Sequence, residues 1–178
     1  EESDITQDEL IAKLSEGMEV EILTDGGDRA YYSPSQDKIH LPSPGSFTSE
    51  YAFNATALHE LSHATGHPSR LDRDMGGFFG SSQYAYEELV AEMCSCFMGV
   101  NLDQTASPDH INNHKAYVQS WIKAIRDKPE TLIRAIKDAQ SAAAFMDWKA
   151  GLITDKEYSQ TLNSTMEIAT RSRDRDAR

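Results

Sequence analysis

Two hydrophobic periods run through this chain. Leu10, Ile11 and Leu14 fall on one face of a short helix. Thr6-Gln7-Asp8-Glu9 has the form of a capping box at its start, and Gly17 is placed to end it. Residues 18–23 then alternate like a strand, which Thr24-Asp25-Gly26-Gly27-Asp28 breaks. Two more short strands are predicted near 30–33 and 38–41, with Pro42 and Pro44 ending the region.

From there on the period is helical. A helix is predicted over about 48–67, with Leu58, Leu61 and Thr65 on one face and His59 and His63 on another. Pro68 stops it. Residues 68–82 read as a loop, with Gly76, Gly77 and Gly80 around Phe78-Phe79, suited to a lid or a plain connection. A second helix is expected over about 82–100, striped by Leu89, Met93, Cys96, Phe97 and Val100. A third spans 109–127, with Val118, Trp121, Ile122 and Ile125 on one side and Tyr117 and Trp121 in the core. A fourth spans 130–148, carrying Leu132, Ile136, Ala139, Ala143 and Met146. Thr154-Asp155-Lys156-Glu157 is a second capping box, opening a last helix whose tail, about 171–178, is expected to fray. The order is helix, small sheet, then helices: an α+β class, mostly helical, in one domain over 1–178.

Composition narrows the partners. The net charge is −12, from 17 basic and 29 acidic residues, which disfavours direct nucleic-acid binding. No apolar run is long enough for a membrane span. The acidic first residues do not form a signal peptide, and the chain lacks an initiator Met, as a piece of a longer protein would. Cys94 and Cys96 are the two cysteines, two apart on a helix, and read as buried unpaired thiols. These features together suit a cytoplasmic setting.

Chemistry concentrates in His59-Glu60-Leu61-Ser62-His63, an H-E-x-x-H helix. The two histidines, i and i+4, can grip one ion, and Glu60 can take a proton from a metal-bound water that attacks a peptide carbonyl. Such a site needs a third protein ligand. A glycine-and-histidine extension of the motif fails, because Gly66 fits but Ser69 stands where the third histidine belongs. The other source is Tyr86-Glu87-Glu88-Leu89-Val90-Ala91-Glu92, with Glu88 lying 25 residues beyond His63 and Glu88 and Glu92 sharing a helical face. Glu87 remains a rival ligand. His110 and His114 are also i and i+4, which leaves a second metal site open. The segment Lys38-Ile39-His40-Leu41-Pro42 is either a plain strand or the sheet edge that takes an extended peptide.

The E-x-x-A-E arrangement resembles the E-x-x-A/S-D helix of thermolysin-like and neprilysin-like peptidases, the gluzincins. That resemblance implies Glu88 as zinc ligand and Glu92 as the acid behind a ligand histidine, with Glu where the pattern has Asp. More widely, HELSHATGHPSRLDR, Phe79-Gly80, YEELVAE and the segment from Asn112 to Ala143 are together similar to the zincin-like metallopeptidase domain of ArdC-type antirestriction and polyvalent proteins of phages and plasmids. The likeness runs from about Ala30 to Phe145. It implies a zincin fold, a Zn²⁺ cofactor (with Mn²⁺ or another divalent ion able to replace it), a protein or peptide substrate, and DNA contact only through an upstream domain outside this sequence. A thermolysin-like reaction also needs an oxyanion donor, for which His67, Arg70, Tyr84 and Tyr86 are candidates. Two non-catalytic readings stand beside it: an acidic module imitating DNA to block a restriction enzyme, and a metal-stabilised module attached to a DNA-processing enzyme.

Overall fold

A computed structural model describes residues 5–124 and 128–176; of Ala124 and of residues 168–176 it gives the backbone only. Helix α1 spans Glu9–Met18. Its cap is Asp8, whose side chain accepts from the Leu10 N–H at 2.9 Å. Thr6 does not close the expected box, because its N–H and hydroxyl both reach Glu50 instead. Nor does Gly17 end the helix. Glu19 does, at φ 57°, and Gly17 lies where a Cβ would meet the Lys149 carbonyl oxygen at 2.0 Å. Its small size, not its backbone freedom, is what the fold uses.

Three short strands follow: β1 (Glu21–Leu23), β2 (Tyr31–Ser33) and β3 (Lys38–His40). Their order is β1-β3-β2, with β1 parallel and β2 antiparallel to β3. Ile22 and Tyr32 thus flank Ile39, which is fully buried. The Lys38–His40 segment is therefore the central strand and cannot accept an added one; β1 and β2 hold the free edges.

Helix α2 (Glu50–Ala64) starts at Ser49, whose hydroxyl accepts from Ala52 N–H at 3.1 Å. It ends three residues before the expected His67. Buried Asn54 ties its first turn to the N-terminus: its amide donates to the Thr6 and Glu50 carbonyls, and its oxygen accepts from Asp8 N–H at 2.8 Å. Helix α3 (Ser82–Gly99) is capped by Ser81, α4 covers Pro108–Ala124, and α5 covers Pro129–Lys149. The Thr154–Glu157 box forms and opens α6, which covers Asp155–Asp176; Ala177 and Arg178 lie outside the described residues.

The core gathers Ile11, Leu14, Leu58, Leu61, Leu89, Val90, Met98 and Met146, with α3 packed against α2, α4 and α5. That surrounding overturns the expected α3 stripe. Leu89 is buried, but Cys96, Phe97 and Val100 are exposed, Val100 to 83%. Ala91, Cys94 and Met98 are buried instead. A helix covered on several sides buries small and polar residues that a single-stripe pattern misses. Cys94 is thus a buried thiol and Cys96 an exposed one. Tyr117, expected in the core, is 58% exposed, whereas Trp121 is half-buried; Ile125 lies outside the described residues. No helix among the described residues is long and apolar enough to cross a membrane.

Candidate metal centre

Helices α2 and α3 pack side by side, and their facing sides carry the acid and histidine residues. His59 and His63 stand one turn apart on α2, with ring centroids 4.9 Å apart. Glu88 on α3 lies opposite both: its Oε2 is 3.3 Å from His59 Nε2 and its Oε1 is 3.3 Å from His63 Nε2. One ligand atom from each of the three fits within 4.8 Å of the others, and among the described residues they form the one group placed to hold a metal ion. Two imidazoles and a carboxylate converging on one point, with the other ring nitrogens occupied, fit a divalent ion.

Those other nitrogens define two supporting arms. His59 Nδ1 faces Glu92 Oε2 at 3.0 Å, and the second oxygen of Glu92 bonds His114 on α4. His63 Nδ1 faces Glu87 Oε1 at 3.2 Å, and Arg73 grips Glu87 through Nη2 at 2.7 Å and Nε at 3.0 Å. The structure thus places Glu87 behind a histidine and Glu88 between both. Arg73 also donates to Thr65 Oγ1 and the Ser62 carbonyl, capping the end of α2. Gly66 makes room for this: a Cβ there would lie 2.8 Å from Met75 Sδ and 3.1 Å from the Arg73 guanidinium.

The electrostatics of these side chains follow from their crowding. Burial opposes protonation of His59 and His63, but the carboxylates facing them outweigh it and push them up to about 9 and about 10. Burial also acts against ionisation of Glu88 and Glu92, yet their bonds to the histidines hold both well below the usual range. His114 is lifted to about 10 by its contacts with Cys96 and Glu92. Each supporting glutamate thus has a nitrogen partner on its outer side, Arg73 or His114.

Glu60 is buried, 7% exposed, and lines a cleft of about 420 Å³ together with Tyr31, Tyr32, His59, His63 and Tyr84. A second cavity, about 290 Å³, also borders His59 and Glu88 and is walled by Thr56, Tyr117 and Trp121. Of the four candidate donors, only Tyr84 lines the cleft. Burial first, and then nearby Glu88, push its hydroxyl up to about 12. Arg70 is spent on Asp37 and on the Met18 and Ala64 carbonyls. Tyr86 bonds Asp138 under the Arg134 guanidinium, and His67 pairs with Ser69. His110 and His114 touch ring to ring at 4.7 Å but gather no third ligand among the described residues. Sequence reasoning missed Arg73 and the β2 tyrosines, of which only Arg73, just after the H-E-x-x-H helix, offered any signal; it singled out His114 for its spacing from His110 but not for its contact with Glu92.

Residues 7–138 match the model of a family described as zincin-like metallopeptidase. The chain belongs to this family. Among relatives of this zincin-like chain, two DNA primases TraC of Escherichia coli are 51% and 53% identical over 67% and 64% of its length. An uncharacterized protein y4eC of Sinorhizobium fredii is 40% identical over 68% of it. The chain spans only 11%, 8% and 39% of those proteins. Two crystal structures of the antirestriction protein ArdC from the R388 plasmid resemble it. The Mn(II)-bound one has 33% identity and a TM-score of 0.66, covering 86% of this chain and 57% of that one. The metal-free one has 32% identity and a TM-score of 0.65, covering 86% and 55%. The matched region begins earlier and ends slightly sooner than the span of likeness read from the sequence.

Proposed function

We propose that this chain is a metal-dependent peptidase module of gluzincin type, with His59, His63 and Glu88 as metal ligands. A bound ion there supplies Lewis acidity, polarising a peptide carbonyl and acidifying water. Zinc is the default for this donor set, and manganese(II) also suits it. Glu60 accepts the proton of the attacking water and passes it to the leaving amine. Tyr84, its hydroxyl kept protonated, donates to the carbonyl oxygen as charge develops there. An extended peptide lies along the free edge of β2, whose Tyr31 and Tyr32 line the cleft. The cavity walled by Tyr117 and Trp121 takes a neighbouring side chain. The observation that carries the reading is Glu60 in a cleft beside three convergent ligand atoms.

The test is cleavage of a peptide library by the metal-loaded chain and by Glu60→Gln. The variant should bind metal as the parent does and lose at least about 10²-fold in rate. Full cleavage by Glu60→Gln would end this mechanism.

A second reading rests on the charge of −12. Here the module belongs to an antirestriction or mobile-element protein and acts by contact, its acidic surface standing in for DNA. Its likeness to ArdC, an antirestriction protein, and to the much longer TraC primases supports that setting. Antirestriction activity that survives Glu60→Gln but fails when surface acids are neutralised would favour it.

A further inference from the structure

We propose that His114 is a positioning residue for the metal: from α4, through Glu92, it fixes the orientation of His59 and so sets metal affinity. The inference rests on the metal site proposed above and extends it to a helix that carries none of its ligands.

The geometry is a line of contacts across three helices. His59 Nε2 faces the ligand point, 3.3 Å from Glu88. His59 Nδ1 faces Glu92 Oε2 at 3.0 Å. Glu92 Oε1 accepts from His114 Nδ1. The same His114 nitrogen lies 3.5 Å from the thiol of Cys96. Behind it, the His110 ring packs edge-on at 4.7 Å and is itself held against Tyr51 at 4.6 Å. The His114 ring therefore has little freedom.

Glu92 needs this support for a physical reason. A glutamate has one more rotatable bond than an aspartate, and Glu92 is buried with 8% of its side chain exposed. A single contact to His59 leaves the carboxylate free to turn about its own axis. A second contact, on the other oxygen and from another helix, removes that freedom. On the opposite arm the same task falls to Arg73, which holds Glu87 with two nitrogens from the chain segment after α2. Each ligand histidine thus has an acid behind it, and each acid has a nitrogen donor from another segment behind it. The acid's own contribution to a metal site is commonly about 10- to 100-fold in affinity. That contribution depends on the carboxylate staying in place, so loss of His114 removes a large part of it.

The experiment is competition for zinc against a chromophoric chelator, using the full chain, in parent, His114→Ala, His114→Asn and Lys115→Ala. Asparagine places an N–H near the position of Nδ1 and can still bond Glu92. Lys115 is the exposed neighbour on the same helix and serves as the control. His114→Ala should bind zinc about 10-fold more weakly or worse, His114→Asn should recover most of that loss, and Lys115→Ala should match the parent. Visible bands of the cobalt(II)-loaded proteins supply a second readout. They should shift in His114→Ala and return in His114→Asn, a pattern that plain loss of packing does not produce. Parent-like affinity in His114→Ala, or an asparagine variant as weak as the alanine one, overturns the proposal while leaving the metal site standing. A parent chain that takes up no metal overturns both.

Discussion

Glu87 and Glu88 are adjacent in sequence and face different tasks. The step of about 100° between helix neighbours turns Glu88 to the point between the two histidines and Glu87 to the back of His63. Arg73 makes the difference costly to ignore. Its side chain is 9% exposed, and Glu87 is the acid that neutralises it. Deleting that carboxylate would strand a buried cation, at about 3–5 kcal/mol. Glu87→Gln is the gentler probe, since it keeps an acceptor for both His63 and Arg73. Metal analysis after dialysis should find Glu88→Ala empty and Glu87→Gln loaded, with affinity lowered by about 10- to 100-fold. Metal lost from the Glu87 variant and kept by the Glu88 variant would exchange their roles.

At the scale of elements, the close approach of α1 and α5 is set by Gly17. A Cβ there would sit 2.0 Å from the Lys149 carbonyl oxygen and 2.9 Å from its carbon, and backbone cannot swing aside. Alanine would gain about 1 kcal/mol in helix propensity over glycine. The forced separation of the helices should outweigh it, for a net loss of about 1–3 kcal/mol. Denaturant midpoints of Gly17→Ala against the parent measure this, and a variant as stable as the parent would show that the helices do not meet there. This kind of contact is invisible in sequence, where Gly17 reads as a helix end. The same division runs through the site. His59, Glu60 and His63 were legible because their spacing is local and one helix carries all three. The facing of Glu88 and Glu92 on α3 was legible for the same reason. Arg73 and His114 were not, because their partners lie 14 and 22 residues away on separate elements. The α3 stripe was misdrawn because helices cover it on several sides, so that Glu87, Glu92 and Ser95 are buried with it. The small sheet was found, but its order was not: short strands with little alternation do not say which of them lies in the middle.

At the scale of the whole molecule, one ion pair stitches three parts together. Arg70, just beyond α2, donates to both oxygens of Asp37 at 2.8 Å and also to the Met18 carbonyl at the end of α1 and the Ala64 carbonyl at the end of α2. Asp37 sits in the turn between β2 and β3 at φ 52° and accepts from the Tyr32 hydroxyl at 2.7 Å. The pair therefore joins the helix α1, the sheet and helix α2, which carries His59 and His63. Burial works to raise the pKa of Asp37, but the bonds from Arg70 and Tyr32 outweigh it and hold the carboxyl below its ordinary value. A depressed acid stabilises the fold above its unfolded pKa, about 3.9, and that stability is lost as pH falls through the lower folded value. Arg70 is buried, at 6% exposure, while Asp37 keeps 30%, so solvent screens part of the pair. Asp37→Asn should then cost about 1–3 kcal/mol at neutral pH, where the charge is fully developed. The cost should shrink as pH is lowered from about 5 towards 2, because the parent loses the same charge there by protonation. Unfolding midpoints of the two proteins, taken side by side across that range, remove the contributions of the other acids, which titrate in both. Curves that converge in acid place the stitch where the structure has it. A constant gap from neutral to acid pH would mean that the aspartate acts through its shape in the turn and not through its charge.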